Sequence, residues 1–302
     1  MSFVVATEKL TKRYGDRAVV QDLDLRIPEG SVYGFLGPNG SGKSTTMKML
    51  LSLIRPTSGR AEVFGTEMTR ATRRDLLGQI GSLIESPPGY AHLTGRENLR
   101  IVQRLLGLTD QQVDHAVRLV RLQDQLDKKV REFSLGMKQR LGIAMALARQ
   151  PKLLILDEPT NGLDPAGIEE IRRLLSGLAD SGVTVMVSSH LLEEIDKTAT
   201  VLGILSQGRM IFQGTRDQLF SAAAPDVLIN CTDPVQAHRV LAGEFGTTCE
   251  NQFVIRLAGL DDETTARAVA TLVGARIGVH GVRREEQSLE DVFMGLTAGG
   301  GL

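Results

Sequence analysis

The sequence is poor in residues on which several classes of function depend. It has no tryptophan, and aromatic residues make up 4% of its 302 positions, so platforms for stacking single-stranded bases are not expected. Its 35 basic and 36 acidic side chains give a net charge of −1, which excludes the basic field that attracts nucleic acid without sequence preference. We therefore expect no nucleic-acid partner.

Cysteine and long apolar runs are scarce as well. Cys231 and Cys249 do not have the spacing of metal ligands, which indicates ordinary thiols in a reducing compartment. No run approaches the ~20 apolar residues that cross a bilayer, and the N-terminal residues lack the pattern of a signal peptide. These features predict a cytoplasmic chain that reaches a membrane only through a separate membrane-spanning partner.

The strongest positive signal is GPNGSGKST at residues 37–45. It lies between an apolar run at 31–36, typical of a buried strand, and a helical pattern at 45–54, which is the context of a phosphate-binding loop. Glycines let successive backbone N–H groups face a phosphate, and the start of a helix adds partial positive charge. Lys43 is expected to reach the β- and γ-phosphates, and the Ser44 hydroxyl to bind Mg²⁺. The candidate nucleotide ligands in the loop are Gly37, Pro38, Asn39, Gly40, Ser41, Gly42, Lys43, Ser44 and Thr45.

Two carboxylates follow the most apolar segment. The run at 152–156 predicts a parallel strand buried on both faces, and Asp157 and Glu158 come directly after it. Open α/β sheets bind ligands at the carboxyl ends of their strands. Asp157 is therefore a candidate ligand of nucleotide-bound Mg²⁺, and Glu158 a candidate base for the attacking water. His190, which follows the next buried run at 183–188, is a candidate hydrogen-bond donor to the γ-phosphate.

The patterns divide the chain near residue 220. Residues 1–219 alternate strand and helix patterns and predict an α/β domain, and a helical insert at about 86–145 follows a loop rich in proline and glycine. Residues 221–225 have the composition of a linker. Beyond it, short strand-like and helix-like runs predict a small α+β domain at 220–302. No second copy of the nucleotide motifs is present, so one nucleotide core is expected.

The order GPNGSGKST, FSLGMKQR, ILDEPTNGLDP and VSSH resembles the ATP-binding subunits of ABC transporters over about residues 1–215. The resemblance implies a P-loop NTPase fold of ABC type, with a mixed-sheet core and a helical subdomain, that binds ATP and Mg²⁺ and hydrolyses the ATP. It also implies a head-to-tail dimer of two copies and a separate transmembrane permease. The chain would then be peripheral on the inner face of the cell membrane.

The resemblance assigns roles to further residues. Tyr14 is similar to the aromatic residue that stacks on adenine. Ser134 and Gly136 stand at the signature positions that cap the γ-phosphate bound by the second copy. Asp164 ends the loop 161–164, which is similar to the segment that joins the two sites across the dimer.

The core catalytic pair of the family is retained, but three positions depart from its usual pattern. Glu158 is similar to the catalytic base and His190 to the switch histidine. Leu135 and Met137 stand where glycine and glutamine are usual; because backbone N–H groups carry the phosphate contact, we expect Leu135 to be tolerated. Glu85 stands where the family usually has a glutamine that touches Mg²⁺, and a carboxylate there is a candidate metal ligand.

These departures, together with IGSLIESPPGYAHLTGRENL and the closing SLEDVFMGLT, resemble the branch that exports peptide antibiotics and protects against bacitracin or lantibiotics. The leading hypothesis is an ATPase that powers export of such a peptide or drug, for resistance or immunity. The alternatives are a general drug or polyketide exporter, a soluble ABC ATPase acting on ribosomes or DNA, and a catalytically inactive regulatory subunit. The single core and near-neutral charge argue against the soluble protein, and the retained Glu158 and His190 argue against the inactive one.

Overall fold

The structure is a computed structural model that describes residues 2–85, 87–190, 198–222, 226–285 and 292. The chain divides into two compact units between Thr215 and Arg216. Each unit has a hydrophobic cluster of its own.

The first unit contains eleven strands and six helices among its described residues. The strands are β1 (Phe3–Tyr14), β2 (Arg17–Leu23), β3 (Arg26–Pro28), β4 (Val32–Leu36), β5 (Ser58–Val63), β6 (Thr66–Glu67), β7 (Ile80–Leu83), β8 (Leu153–Asp157), β9 (Thr184–Ser189), β10 (Val201–Ser206) and β11 (Arg209–Gly214). The helices are α1 (Lys43–Leu50), α2 (Arg73–Leu77), α3 (Gly95–Leu106), α4 (Asp110–Leu119), α5 (Leu135–Leu147) and α6 (Pro165–Asp180).

A six-stranded sheet with the order β11-β10-β4-β9-β8-β7 forms the centre of this unit. All its neighbouring pairs are parallel except β10 and β11. Every residue of β4 and β8 is buried, because the sheet is covered on both faces. The carboxyl ends of β4, β9 and β8 therefore lie side by side, and this edge carries the residues that follow each strand.

A second sheet has the order β2-β1-β5-β6, with β3 also paired to β1. All its pairs are antiparallel. Its apolar side chains, among them Leu10, Ile27 and Val63, share one core with Phe35 and Met47 from the first sheet and α1. The expected mixed-sheet α/β core is confirmed.

Between β7 and β8 the chain is helical. Helices α3 and α4 both begin with a capping box, formed by Thr94 with Glu97 and by Thr109 with Gln112. Gly107, with a left-handed φ of 65°, is the C-cap of α3. Helix α5 ends at Leu147, where the chain turns before β8.

The second unit contains α7 (Arg216–Ala222), β12 (Val227–Cys231), α8 (Pro234–Leu241), β13 (Thr247–Cys249), β14 (Val254–Leu257), α9 (Asp262–Gly274) and β15 (Val279–Arg284). Its sheet has the order β13-β14-β12-β15, with all pairs antiparallel. From β12 to β15 this is the split β-α-β-β-α-β arrangement of ferredoxin-like folds. Its core joins side chains of both helices and the sheet, such as Ile229, Leu241, Ile255 and Leu272.

Two segments singled out in the sequence fall partly outside the described residues. Ser221 and Ala222 of the expected linker form the end of α7, whereas 223–225 are not described. Of the closing SLEDVFMGLT segment, Val292 alone is described, and it is buried.

Candidate nucleotide-binding and catalytic site

The loop between β4 and α1 is held tightly against the backbone of its neighbours. Gly40 and Gly42 have φ values of 79° and 110°, which disfavour any other residue. A Cβ atom on Gly42 would lie 2.7 Å from the carbonyl oxygen of Val19, and one on Gly37 would lie 2.3 Å from that of Leu205. Both glycines are therefore required by close backbone approach.

Lys43 begins α1 and is buried, with its side chain 6% exposed. Its Nζ donates a hydrogen bond of 2.7 Å to the carbonyl oxygen of Gly37 and lies 3.7 Å from Oε1 of Glu158. Burial lowers the pKa of the Lys43 ammonium, and the nearby carboxylates of Glu158 and Asp157 oppose that shift. A cation held in this way is suited to contact with an anion that replaces its present partners.

Further features of the loop fit a bound phosphate chain. The Oγ atom of Ser41 is buried without a hydrogen-bond partner in the described part of the chain. The start of α1 follows Gly42 and has no side-chain cap, so the N–H groups of its first turn are left to other acceptors. An orphaned donor, uncapped N–H groups and a buried cation together provide the contacts that polyphosphate needs.

The two carboxylates after β8 are joined by a residue that the sequence analysis did not select. Ser188, in β9, donates a hydrogen bond of 2.6 Å to Oδ1 of Asp157 and accepts one of 2.9 Å from the backbone N–H of Glu158. Asp157 and Ser188 are register partners in the parallel pair of β8 and β9. Ser188 stands near the carboxyl end of its buried apolar run, as Asp157 does at the end of the preceding one. This equivalent position was the signal in the sequence that could have indicated Ser188.

Glu158 lies between Lys43 and His190. Its φ of 51° is unusual for a residue with a side chain. Oε2 of Glu158 and Nδ1 of His190 share a hydrogen bond of 2.6 Å. The structure thus brings Lys43, Asp157, Glu158 and His190 together at the carboxyl edge of the parallel sheet.

The segment around Ser134 lies at the start of α5. The Ser134 hydroxyl accepts a hydrogen bond of 3.2 Å from the N–H of Met137, so Ser134 is the N-cap of α5. A Cβ atom on Gly136 would meet Leu163 Cδ2 at 3.5 Å, an ordinary contact. The packing of this chain therefore does not require glycine at position 136.

Glu85 and Lys48 form an ion pair, which places the Glu85 carboxylate beside α1. Glu85 has a φ of 70°. Its carboxylate therefore has a cationic partner within the chain, and a role as a metal ligand stays a prediction.

Tyr14 and Asp164 are both exposed. Nζ of Lys12 lies 4.9 Å from the centroid of the Tyr14 ring at the end of β1. Asp164 is the N-cap of α6 and accepts a hydrogen bond of 3.1 Å from the N–H of Gly167. Asp164 thus stabilises the start of α6 whether or not it also contacts a nucleotide.

A glycine-rich loop between a buried parallel strand and a helix, a buried lysine, and an acidic pair at the end of a nearby strand define a P-loop nucleotide hydrolase. The described residues contain no group of three or more histidine, cysteine, aspartate or glutamate side chains placed to hold a metal. Mg²⁺ in such sites needs one or two protein oxygens, because phosphates and water supply the others.

Comparisons with known proteins show which family of P-loop nucleotide hydrolases the chain belongs to. A family model described as ABC transporter matches residues 20–161. The chain is 40% identical over 306 residues to the bacitracin transport ATP-binding protein BcrA of Bacillus licheniformis, with 99% of each chain covered. It is 44% identical over 210 residues to the lantibiotic transport ATP-binding protein SrtF of Streptococcus pyogenes, with 70% of this chain and 90% of that protein covered.

A solved structure agrees with these relatives. That of cbiO1 from Clostridium perfringens, described as part of the ABC transporter complex cbiONQ, matches with a TM-score of 0.67 at 28% identity. The match covers 73% of this chain and 92% of that one. The chain therefore belongs to the ATP-binding proteins of ABC transporters, and it is an ATPase. The expected family and fold class are confirmed.

Within the described residues, no helix has both the length and the apolar character needed to span a membrane.

Proposed function

We propose that this chain hydrolyses Mg²⁺-bound ATP to drive a separate membrane permease that exports a peptide antibiotic of the lantibiotic or bacitracin type, or a drug. The observation that carries the catalytic part is the contact of Glu158 with both Lys43 and His190. Export would serve resistance or immunity. A general drug or polyketide exporter is the alternative substrate assignment.

The chemistry follows from the groups at the sheet edge. Lys43 and the N–H groups of the loop bind the β- and γ-phosphates. Ser44 and Asp157, with Glu85 as a further candidate, would hold Mg²⁺, which supplies charge neutralisation at the phosphates. Ser188 fixes the Asp157 carboxylate through its 2.6 Å hydrogen bond.

Glu158 acts as the general base. Its carboxylate accepts a proton from the attacking water while the water oxygen bonds to the γ-phosphorus. The bond from that phosphorus to the bridging oxygen breaks, and ADP and inorganic phosphate leave. His190 then has two tasks, since its hydrogen bond orients Glu158 and its other ring nitrogen would donate a hydrogen bond to the γ-phosphate.

A second copy of the chain completes each site. Ser134 is exposed at the start of α5, and Gly136 has no packing reason in its own chain to lack a side chain. Both facts are expected if the backbone there approaches a phosphate bound by a second copy. Tyr14 would stack on the adenine, and Asp164 would lie at the seam between the copies.

The substrate assignment rests on the relatives. BcrA and SrtF are named for bacitracin and lantibiotic transport, and the match to BcrA extends over 99% of the chain. The permease would contact the transported molecule and would hold this chain at the inner face of the cell membrane. We assign the nucleotide-binding domain to 1–219, with a helical subdomain at about 86–145, and an accessory domain to 220–302; the division of the chain between Thr215 and Arg216 supports this.

Glu158→Gln tests the catalytic assignment. Removing the base should lower ATP turnover by about 100-fold or more, while ATP binding is kept. Size-exclusion chromatography with light scattering should show an ATP-dependent dimer, because hydrolysis no longer separates the copies. Glu67→Gln, an exposed change in β6, is the matched control. Turnover of Glu158→Gln at the wild-type rate would show that the base is another group.

Export is tested in cells. Deleting the permease gene should abolish export of the peptide while purified chain still binds ATP. Protection that persists without any permease contradicts the transport assignment. Protection against unrelated small drugs, with none against peptides, favours the alternative substrate.

A further inference from the structure

Leu135 makes a contact that the usual glycine at this position could not make. It is the first residue of α5, and its side chain is 43% exposed. A Cβ atom on Gly162 would lie 2.7 Å from Leu135 Cδ2, so the leucine side chain is seated directly on Gly162. The φ of 75° at Gly162 also disfavours a side chain there.

A looser contact runs in the opposite direction, from Leu163 to Gly136. Leu163 is half-buried, and its Cδ2 lies 3.5 Å from the Cβ position of Gly136. Each segment thus places a leucine on a glycine of the other. We call Leu135, Gly136, Gly162 and Leu163 the leucine interlock.

Gly162 and Leu163 of the interlock are connected to Glu158 by backbone hydrogen bonds. The N–H of Asn161 donates a hydrogen bond of 3.2 Å to the carbonyl oxygen of Glu158, and the N–H of Leu163 donates one of 3.1 Å to that of Thr160. Two successive turns therefore connect Glu158 to Gly162 and Leu163. Glu158 itself has the left-handed φ of 51°, so its side-chain direction depends on how these turns are held.

Both segments are anchored where they enter helices. Ser134 caps α5 and Asp164 caps α6 through side-chain hydrogen bonds. These helices have 13 and 16 residues; Leu135 is the first residue of one, and Leu163 directly precedes the N-cap of the other. A displacement at the start of α5 is then transmitted to the turns rather than absorbed by a loose loop.

We propose that Leu135 is a positioning residue, which through the leucine interlock couples the start of α5 to the catalytic carboxylate of Glu158. This inference rests on the proposed function, in which Ser134 serves the nucleotide of the second copy and Glu158 the nucleotide of its own chain. The interlock therefore links the two nucleotide sites within each chain. A glycine at position 135 has no side chain with which to form this link.

The test compares Leu135→Ala, Leu135→Gly and Leu135→Met in the purified full chain. Alanine favours the helix but removes the contact, and kcat should fall on the order of tenfold, because a small displacement of a catalytic group slows chemistry strongly. The KM for ATP and the melting temperature should stay near wild type. Methionine, which refills the space, should restore kcat. Leu105→Ala, at a leucine 77% exposed on α3, is the control with wild-type kcat.

Leu135→Gly gives the sharpest contrast. Resemblance to the family pattern alone predicts an active enzyme, whereas the interlock predicts a loss of kcat similar to that of Leu135→Ala. Wild-type kcat in either variant overturns the proposal. Equal losses in Leu135→Ala and Leu135→Met also overturn it, because refilling the space should restore the contact.

A double substitution separates this proposal from the proposed function. Leu135→Ala in the Glu158→Gln background should still form the ATP-dependent dimer, because the interlock lies within one chain. Loss of that dimer would make Leu135 a contact between copies and would overturn the interlock. If Glu158→Gln alone neither dimerises nor slows turnover, the proposed function fails instead. Leu163→Ala should not add to Leu135→Ala, since both remove one linkage.

Discussion

In the sheets of the two units, the surroundings shift the pKa of a basic side chain in opposite directions. At the edge of the parallel sheet, Lys43 is buried and its pKa is lowered by burial, while Glu158 and Asp157 only partly offset the cost. In the second unit, Arg256 on β14 has three carboxylate partners, Asp226, Glu250 and Glu285. Hydrogen bonds to Glu250 and Asp226 raise the pKa of Arg256 well above its usual range.

This difference separates a reactive arrangement from a stabilising one. Burial of Lys43 lowers its pKa, so its charge is held at a cost, and Glu158 adopts a costly backbone conformation. The charges around Arg256 satisfy one another, as expected for a network of ion pairs near the surface of the sheet. A ligand has favourable contacts to gain at the first location and little to gain at the second.

Of the changes that test this difference, Lys43→Met should have the largest effect, which is on the rise in melting temperature that ATP causes. With saturating Mg-ATP, the wild-type melting temperature should rise by roughly 5–10 °C, and the variant should lose most of that rise with its phosphate contact. Differential scanning fluorimetry at matched ATP concentrations measures both. Lys128→Met, on the exposed surface, should keep the full rise.

The direction of the Lys43 pKa shift determines whether Lys43→Met should raise or lower the melting temperature in the absence of nucleotide. Because the folded-state pKa of Lys43 lies below its unfolded value, its charge disfavours the fold; this cost is full below the folded pKa and vanishes as pH rises above the unfolded pKa. Without nucleotide at neutral pH, Lys43→Met should therefore melt no lower than wild type. A variant that melts lower but keeps the ATP-induced rise would show that Lys43 stabilises the fold rather than binding nucleotide.

Ser188→Ala should have an intermediate effect. The change leaves Oδ1 of Asp157 without its 2.6 Å donor and the N–H of Glu158 without its 2.9 Å acceptor, so both residues lose a contact that fixes their position. We expect kcat to fall about tenfold and the Mg²⁺ concentration for half-maximal activity to rise. Steady-state assays across Mg²⁺ concentrations measure both. Ser206→Ala, at the end of β10, is the matched control, and an unchanged Mg²⁺ requirement in Ser188→Ala would show that Asp157 does not hold the metal.

The motifs predicted the parallel-sheet edge well because each lies within a short stretch of sequence. The loop at 37–45 and the pair Asp157 and Glu158 follow buried apolar runs, and such runs are the strongest local signal of a central strand. Ser188 and the partner of Leu135 were not predicted. Each depends on a contact between segments about 27 or more residues apart, and no local pattern encodes such a contact.

The second unit was predicted less completely for a physical reason. Strands β12 and β14 match the strand-like runs that the sequence shows at 227–231 and 253–257, and helices α8 and α9 match its helix-like runs at 234–241 and 261–273. Strands β13 and β15 were not expected. Strand β13 has three residues, and β15 is mostly exposed and contains a glycine, so neither shows a clear alternation of apolar and polar positions. Such edge strands are defined by pairing with β14 and β12 rather than by their own composition.

Arg256→Ala should have the smallest effect. The side chain is 30% exposed, so the loss in local stability should be only about 1 kcal/mol, even though three carboxylates are left near one another. Hydrogen exchange in peptides covering 226–257 should become faster at low salt and recover partly at high salt, because screening weakens the repulsion. Arg239→Ala, on α8, is the control for removing a charge. ATP turnover should stay at the wild-type rate, because the charges of this network compensate one another. A fall in kcat would mean that charge in the second unit acts on the nucleotide site. Stabilisation and catalysis would then not be divided between the two regions.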